Sequence, residues 1–182
     1  EGLTKWFNGY GFEEVEAMAP LDILRRTGLQ LTTVGIGERK VIGARGVEIK
    51  ADLADSDLDF SEESIDMVIL PGGMPGTKNL EASAVVQKAV EHCIKSGSFV
   101  AAICAAPSIL GHWGVLKGHE ATCYPGYESE LGCKVSSLPV VQSDKIITAK
   151  GAGVAVDFGL KLAEVLCGAE KSKEIRKSIQ CM

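Results

Sequence analysis

Cys104 is the residue of this chain whose type and setting most clearly invite nucleophilic chemistry. Around it the sequence reads Ser98-Phe99-Val100-Ala101-Ala102-Ile103-Cys104-Ala105-Ala106-Pro107. The apolar run has the length and composition of a buried strand, stops at the cysteine, and is followed by a helical pattern from Ser108 to Trp113. Between a strand end and a helix start, helix N–H groups and the positive end of the macrodipole favour a thiolate over a thiol. The order strand, nucleophile, helix is that of a nucleophile elbow, in which a sharp turn pushes the reactive atom into a cleft. An ordinary buried thiol fits the same run, because free cysteine is among the most buried residue types.

Three other turns share the setting of Cys104. Pro71-Gly72-Gly73, Tyr124-Pro125-Gly126 and Lys150-Gly151-Ala152-Gly153 each follow a strand-like run. In doubly wound sheets ligands bind beyond the carboxyl ends of the strands, so four special turns there point to a site more strongly than one. The remaining cysteines, at 93, 123, 133, 167 and 181, form no CxxC pair, and no histidine stands at zinc-finger spacing. No metal site is therefore expected. Dispersed thiols suggest a reducing, cytoplasmic compartment. His92, His112 and His119 fall on helices or a strand start away from these turns and read as surface or packing residues.

The elements that must position these turns alternate between helical and strand-like patterns, the mark of a parallel α/β sheet. Glu14 to Thr27 reads as a helix stopped by Gly28, with Pro20 bending it or marking its true start. Leu29 to Ile36 reads as a strand, and Val41–Ile42 with Val47–Ile49 as a small hairpin. The acidic stretch Asp52 to Glu63 reads as a solvated loop or short helix. Asp66 to Leu70 is a strand, Ala82 to Lys95 a helix ended by Gly97, and Ala121 to Tyr124, Val140–Val141 and Lys145 to Thr148 are strands. Val154 to Leu166 and Lys171 to Ile179 complete the pattern as helices.

The 182 residues are 46% hydrophobic and 24% charged, with no repeat or linker, which predicts one domain with a full core. The net charge of −5 and pI near 5.3 argue against nucleic acid as the main partner. No apolar run approaches the length of a membrane span, and no secretory signal is expected.

Five segments together carry a family resemblance: GFEEVEAMAPLDILRRTG, VILPGGMPGTKNL, VAAICAAPSILG, ATCYPGYE and IITAKGAGVAVDFGLKLAEVL. In order and spacing, over roughly Gly11 to Gly168, they resemble the ThiJ/PfpI superfamily, in the branch of the parkinsonism-associated deglycase. The resemblance implies a single ThiJ/PfpI-type domain over 1–182. Its fold would be a flavodoxin-like three-layer α/β sandwich, with a mostly parallel sheet, helices on both faces and a nucleophile elbow. It further implies a homodimer and chemistry that needs no metal or organic cofactor. By position, Cys104 matches the family's nucleophilic and oxidation-sensitive cysteine, and Glu16 its acidic partner, the last glutamate of a GxEExE pattern. Gly73 and the N–H of Ala105 match the donors that would stabilise an oxyanion, and Arg45 matches a basic residue approaching from the hairpin.

The chemistry of such a pair is coherent. A carboxyl in an apolar pocket has a raised pKa, and a neighbouring thiolate raises it further. Protonated, Glu16 can donate to the thiolate and later move protons for a substrate. Gly72-Gly73 allows the backbone to approach a reacting carbonyl, where N–H groups can face developing negative charge. Taken alone, Glu16 reads as a surface acid in a helix's first turns, as Glu13 and Glu14 do.

Three departures from the family pattern stand out. Where many relatives carry a histidine before the proline of the strand-end turn, this chain has Tyr124-Pro125, and tyrosine is a poor general base near neutrality. Ala105 occupies the place where peptidase-like relatives put a histidine, which weakens an amidase or peptidase reading. The opening run, Gly2-Leu3-Thr4-Lys5-Trp6-Phe7-Asn8-Gly9-Tyr10-Gly11-Phe12, is less apolar than a first strand should be and reads as an edge or altered strand. Its KWFN and GYGF fragments resemble cold-shock motifs, but such a domain needs a five-stranded barrel with stacking aromatics.

Three functions follow as expectations. The first is a cofactor-independent enzyme acting on small 2-oxoaldehydes, with methylglyoxal giving lactate, or on early glycation adducts, with Tyr124 and Arg45 in substrate contact. The second is a redox-responsive stress protein or chaperone that senses oxidants through Cys104. The third and weakest is an amidase or peptidase.

Overall fold

The computed structural model describes residues 3–61 and 64–182. In chain order the elements are β1 (Leu3–Asn8), α1 (Glu14–Arg26), β2 (Leu31–Gly35), β3 (Lys40–Ile42), β4 (Glu48–Lys50), β5 (Leu53–Ala54) and β6 (Ile65–Leu70). There follow α2 (Gly76–Glu81), α3 (Ala84–Ser96), β7 (Phe99–Ile103), α4 (Pro107–His112), β8 (Glu120–Ala121) and β9 (Lys134–Val135). The chain ends with β10 (Val140–Ser143), β11 (Ile146–Ala149), α5 (Ala155–Cys167) and α6 (Ala169–Ser178).

Seven strands form one sheet in the order β10-β11-β7-β6-β1-β2-β5, with β10 alone antiparallel to its neighbour. One face packs on α3 and α4 through Phe7, Val68, Val86, Val90, Ile109 and Leu110. The other packs on α1 and α5 through Trp6, Met67, Ile69, Ile23, Leu24 and Phe158. Because side chains alternate across a strand, a strand covered on both faces must be apolar nearly throughout. That is the composition of β6 and β7. The fold is therefore the expected flavodoxin-like α/β sandwich, and the small hairpin appears as the antiparallel pair β3–β4.

The helix boundaries follow local chemistry. Glu13 caps α1 by accepting the Glu16 N–H at 2.8 Å, and Ser83 caps α3 through Val86. Gly28 and Gly97 stop their helices with positive φ values of 85° and 71°. Pro20 lies inside α1, where its ring faces α5: a side chain on Gly159 would come within 2.8 Å of Pro20 Cα. The expected helix over Ala82–Lys95 is α3, which starts two residues later at Ala84; the short α2 just before it has no counterpart among the expected elements. Within the acidic stretch, Leu53–Ala54 add an edge strand and Asp55–Asp57 a single 3-10 turn; Glu62 and Glu63 lie outside the described residues. The expected strand over Ala121 to Tyr124 is shortened to β8, since beyond Ala121 the chain turns toward the site.

Of the two alternatives for the first strand, the altered strand forms and the edge position does not. β1 is not at an edge but lies between β6 and β2, parallel to both. Trp6 and Phe7, each fully buried, supply one large side chain to each layer, which compensates for the polar residues beside them. Those neighbours, Thr4, Lys5 and Asn8, are buried as well. Phe12 is also fully buried, so Trp6, Phe7 and Phe12 form no surface on which bases could stack. The cold-shock likeness ends there, and the part of the run at Gly2 lies outside the described residues.

Candidate active site

The adjacent strands β6, β7 and β11 end at the same side of the sheet, where their turns converge with the start of α1. Cys104 follows β7 directly and holds φ at +67°, a left-handed conformation that costs a non-glycine residue energy. Its backbone is fixed from both sides. Its N–H donates to Ala149 O at 2.9 Å, and its carbonyl accepts the Tyr124 N–H at 2.9 Å. The sequence-predicted elbow is thus present, with α4 starting at Pro107.

Glu16 enters from the first turn of α1 and is 1% exposed. Its Oε2 accepts the Gly72 N–H at 3.0 Å, the Ala152 N–H also donates to its carboxyl, and the Cys104 thiol is hydrogen-bonded to it. Gly72 is what lets these groups meet. A Cβ there would lie 2.6 Å from both Cys104 Cβ and Glu16 Oε2, closer than any real side chain can come. Gly73, at φ +91°, packs on the Gly11–Glu13 backbone, where a Cβ would fall 2.4 Å from Glu13 N. The N–H groups of Ala105 and Gly73 donate to Cys104 Sγ. Gly72 itself offers no free N–H to a substrate, because Glu16 occupies it.

The electrostatics differ from the sequence expectation. Burial is the largest influence on Glu16 and raises its pKa from 4.5 to about 7, against the pull of the Cys104, Gly72 and Ala152 hydrogen bonds. Burial, then the Glu16 charge, also pushes the Cys104 thiol upward, while the Ala105 and Gly73 N–H groups pull it down. The expectation that a helix terminus sets a low thiol pKa is not met, because α4 has only six residues and partial burial of the thiol outweighs its N–H donors. Burial is the common cause of both shifts, and the Glu16 charge adds to it only at the thiol. The pair keeps one proton and one negative charge above neutrality. The thiolate forms when that proton crosses to Glu16 and the Gly73 and Ala105 N–H groups take up the charge on sulfur.

The other predicted residues divide. Tyr124 is half-exposed and stands at the mouth of the site. A Cβ on Gly151 would lie 3.4 Å from its ring and 3.9 Å from Glu16 Oε1, so Tyr124 and Glu16 flank the same glycine. Arg45 is not brought in. Its side chain is exposed on the β3–β4 turn and makes no hydrogen bond or ion pair with Glu16 or Cys104; only its N–H is engaged, by Glu14 Oε1 at 2.6 Å. That contact corrects the reading of Glu14 as a solvated acid, since its carboxyl also accepts the Val47 N–H and packs on Gly43. Ala152 was missed as a donor to Glu16, although its glycine-flanked turn was visible in the sequence. All six cysteines are free thiols, and among the described residues no cluster of three or more His, Cys, Asp or Glu could hold a metal ion. No helix among them is long and apolar enough to cross a membrane.

The chain is similar to known proteins over most of its length. The model of the DJ-1/PfpI family matches residues 6–165. Protein dj-1beta of Drosophila melanogaster is 35% identical over 173 residues, covering 93% of this chain and 91% of that protein. The glutathione-independent glyoxalase DJR-1.2 of Caenorhabditis elegans is 35% identical over 170 residues, covering 92% and 89%. Among solved structures, oxidized Toxoplasma gondii DJ-1 superposes with a TM-score of 0.93 at 32% identity, covering 99% of this chain and 98% of that one.

Proposed function

The chain belongs to the DJ-1/PfpI family, and from that premise we propose that it is a cofactor-independent cysteine enzyme for small 2-oxoaldehydes, or for the early glycation adducts they form. The observation that carries this reading is the buried Glu16 carboxyl hydrogen-bonded to the Cys104 thiol, beside two N–H donors. A relative named as a glutathione-independent glyoxalase supports the same class of substrate.

With methylglyoxal, Glu16 takes the thiol proton and Cys104 Sγ adds to the aldehyde carbon, forming a C–S bond while the C=O electron pair moves to oxygen. The Gly73 and Ala105 N–H groups, which lie against Sγ, stabilise that oxyanion until Glu16 returns the proton. Glu16 then removes the proton from the former aldehyde carbon and delivers it to the neighbouring carbon, while the hydroxyl proton passes to the former ketone oxygen, converting the hemithioacetal through an enediol into a lactoyl thioester. Water cleaves the C–S bond, releasing lactate and restoring Cys104. The sum is methylglyoxal plus water to lactate plus a proton, with no outside oxidant. Tyr124 borders the approach, and Arg45 would serve only by side-chain movement from its exposed position.

Lactate production by the parent protein, Cys104→Ala and Glu16→Gln tests this. The parent forms lactate and Cys104→Ala none above background. A Cys104→Ala protein as active as the parent overturns the proposal.

The same thiol supports a second reading, a sensor of peroxide-class oxidants. Cys104 is partly accessible and has N–H donors ready for an oxidised sulfur, and a solved relative is described as oxidized. Peptide mapping after mild peroxide should show oxygen on Cys104 before the other five cysteines; equal uptake by all six sinks this reading. Exposed Val15 on α1 with Ile42 and Val47 on the hairpin supports a homodimer, testable by light scattering, and free thiols suit a reducing compartment such as the cytoplasm.

A further inference from the structure

His112 lies outside the pair just described, yet its surroundings form a closed circuit with Cys104. It is the last residue of α4, which starts three residues after the nucleophile. Its Nδ1 meets Glu81 at the end of α2, and its Nε2 lies 3.1 Å from Glu130 Oε1. Glu130 closes the 3-10 turn Glu128–Glu130, within the segment that begins at Tyr124. Backbone hydrogen bonds return from there to the site. The Glu130 N–H donates to Tyr127 O at 3.0 Å, the Tyr127 N–H to Tyr124 O at 3.2 Å, and the Tyr124 N–H to Cys104 O.

The joint between α4 and this segment is tight. A Cβ on Gly111 would fall 2.1 Å from Glu130 O, and Leu131, 1% exposed, anchors the segment in the core. We propose that His112 is a positioning residue, whose two ion pairs hold the 124–131 segment and keep Tyr124 at the mouth of the site.

The charge state of one imidazole sets this contact. Protonated, both ring nitrogens donate, one to each carboxylate; neutral, the ring has a single N–H and turns a lone pair toward the other carboxylate. The charged groups facing His112 are Glu81 from α2 and Glu130 from the turn, and both raise its pKa above the ordinary histidine value against a smaller effect of burial. Among the described residues no lysine or arginine forms an ion pair with either carboxylate. The staple is therefore closed in acid and opens as pH rises through the raised value. The side chains are 31% to 40% exposed, so solvent screening keeps the effect modest.

Amide hydrogen exchange across residues 124–131, in the parent, His112→Gln and His112→Lys at pH 6 and pH 8.5, tests the proposal. After correction for intrinsic rates, His112→Gln at pH 6 should exchange roughly fivefold faster than the parent at Tyr127 and Glu130. The parent should reach that rate at pH 8.5, while His112→Lys, whose cation does not titrate there, stays protected at both. The KM for methylglyoxal should follow the same order with kcat changing less. Equal protection in parent and His112→Gln at pH 6, or loosening of His112→Lys with pH, overturns the proposal. The importance of Tyr124 rests on the proposed function, but the exchange readout does not. Normal exchange behaviour without lactate formation would count against the enzyme reading and leave the staple standing.

Discussion

At the scale of single residues, Gly72 is the position that lets Cys104 and Glu16 meet. Its hydrogen atom occupies the space where Cys104 and Glu16 come together, and its N–H is held by the Glu16 carboxylate. Gly72→Ala should lower stability by about 2 kcal/mol or more and, on the proposed function, reduce lactate formation at least tenfold, because the methyl must displace backbone or the Cys104–Glu16 pair. Urea denaturation beside the lactate assay checks both, and a variant matching the parent in each would show that the pair can separate without loss. Cys104 was legible from its sequence neighbours alone, since an apolar strand stopping at a cysteine is a local pattern. Glu16 was legible only through the family resemblance, because its burial depends on residues 56 and more positions away. Arg45 was misplaced for the same kind of reason: its hairpin was readable, but the direction of its side chain was not.

Among the elements, β1 carries the clearest conflict between composition and place. Asn8 is fully buried, and neither its Oδ1 nor its Nδ2 has a hydrogen-bond partner. Leucine has nearly the same branched shape and needs none. Asn8→Leu should therefore stabilise the protein by about 1–2 kcal/mol, measured by denaturant unfolding. No gain, or a loss, would mean that the amide finds partners in solution. The sequence leaves this strand open between edge and altered because Thr4, Lys5 and Asn8 dilute the apolar run that marks a central strand. Apart from two-residue β5, hidden in the acidic stretch, the other sheet strands were visible as short apolar runs, and α1, α3 and α5 through their stops or periodicity. Short α2 escaped notice because six residues hold too few turns to show a period. The link from α4 to the 124–131 segment could not be read either, since His112, Glu81 and Glu130 are far apart in the chain.

For the whole molecule, Glu16 couples the site to folding. Its pKa rises from 4.5 to about 7 on folding, so the folded protein holds this proton more tightly than the unfolded chain. Its stabilising contribution is complete below about 4.5 and is lost as pH climbs through about 7, a change of about 3 kcal/mol. The parent should lose stability between pH 5 and pH 8, and Glu16→Gln should remove most of that loss. Parallel stability profiles for the two proteins would contradict the coupling. His112 acts in the same direction, being stabilising while protonated, so His112→Gln should remove a separate and smaller part. The positive φ at Cys104 adds a cost of another kind, because glycine adopts that conformation freely and cysteine does not. Cys104→Gly should accordingly be more stable than Cys104→Ala by about 1 kcal/mol. If this codon were varied at random and selected for folding alone, with no demand on chemistry, glycine should therefore outcompete alanine there.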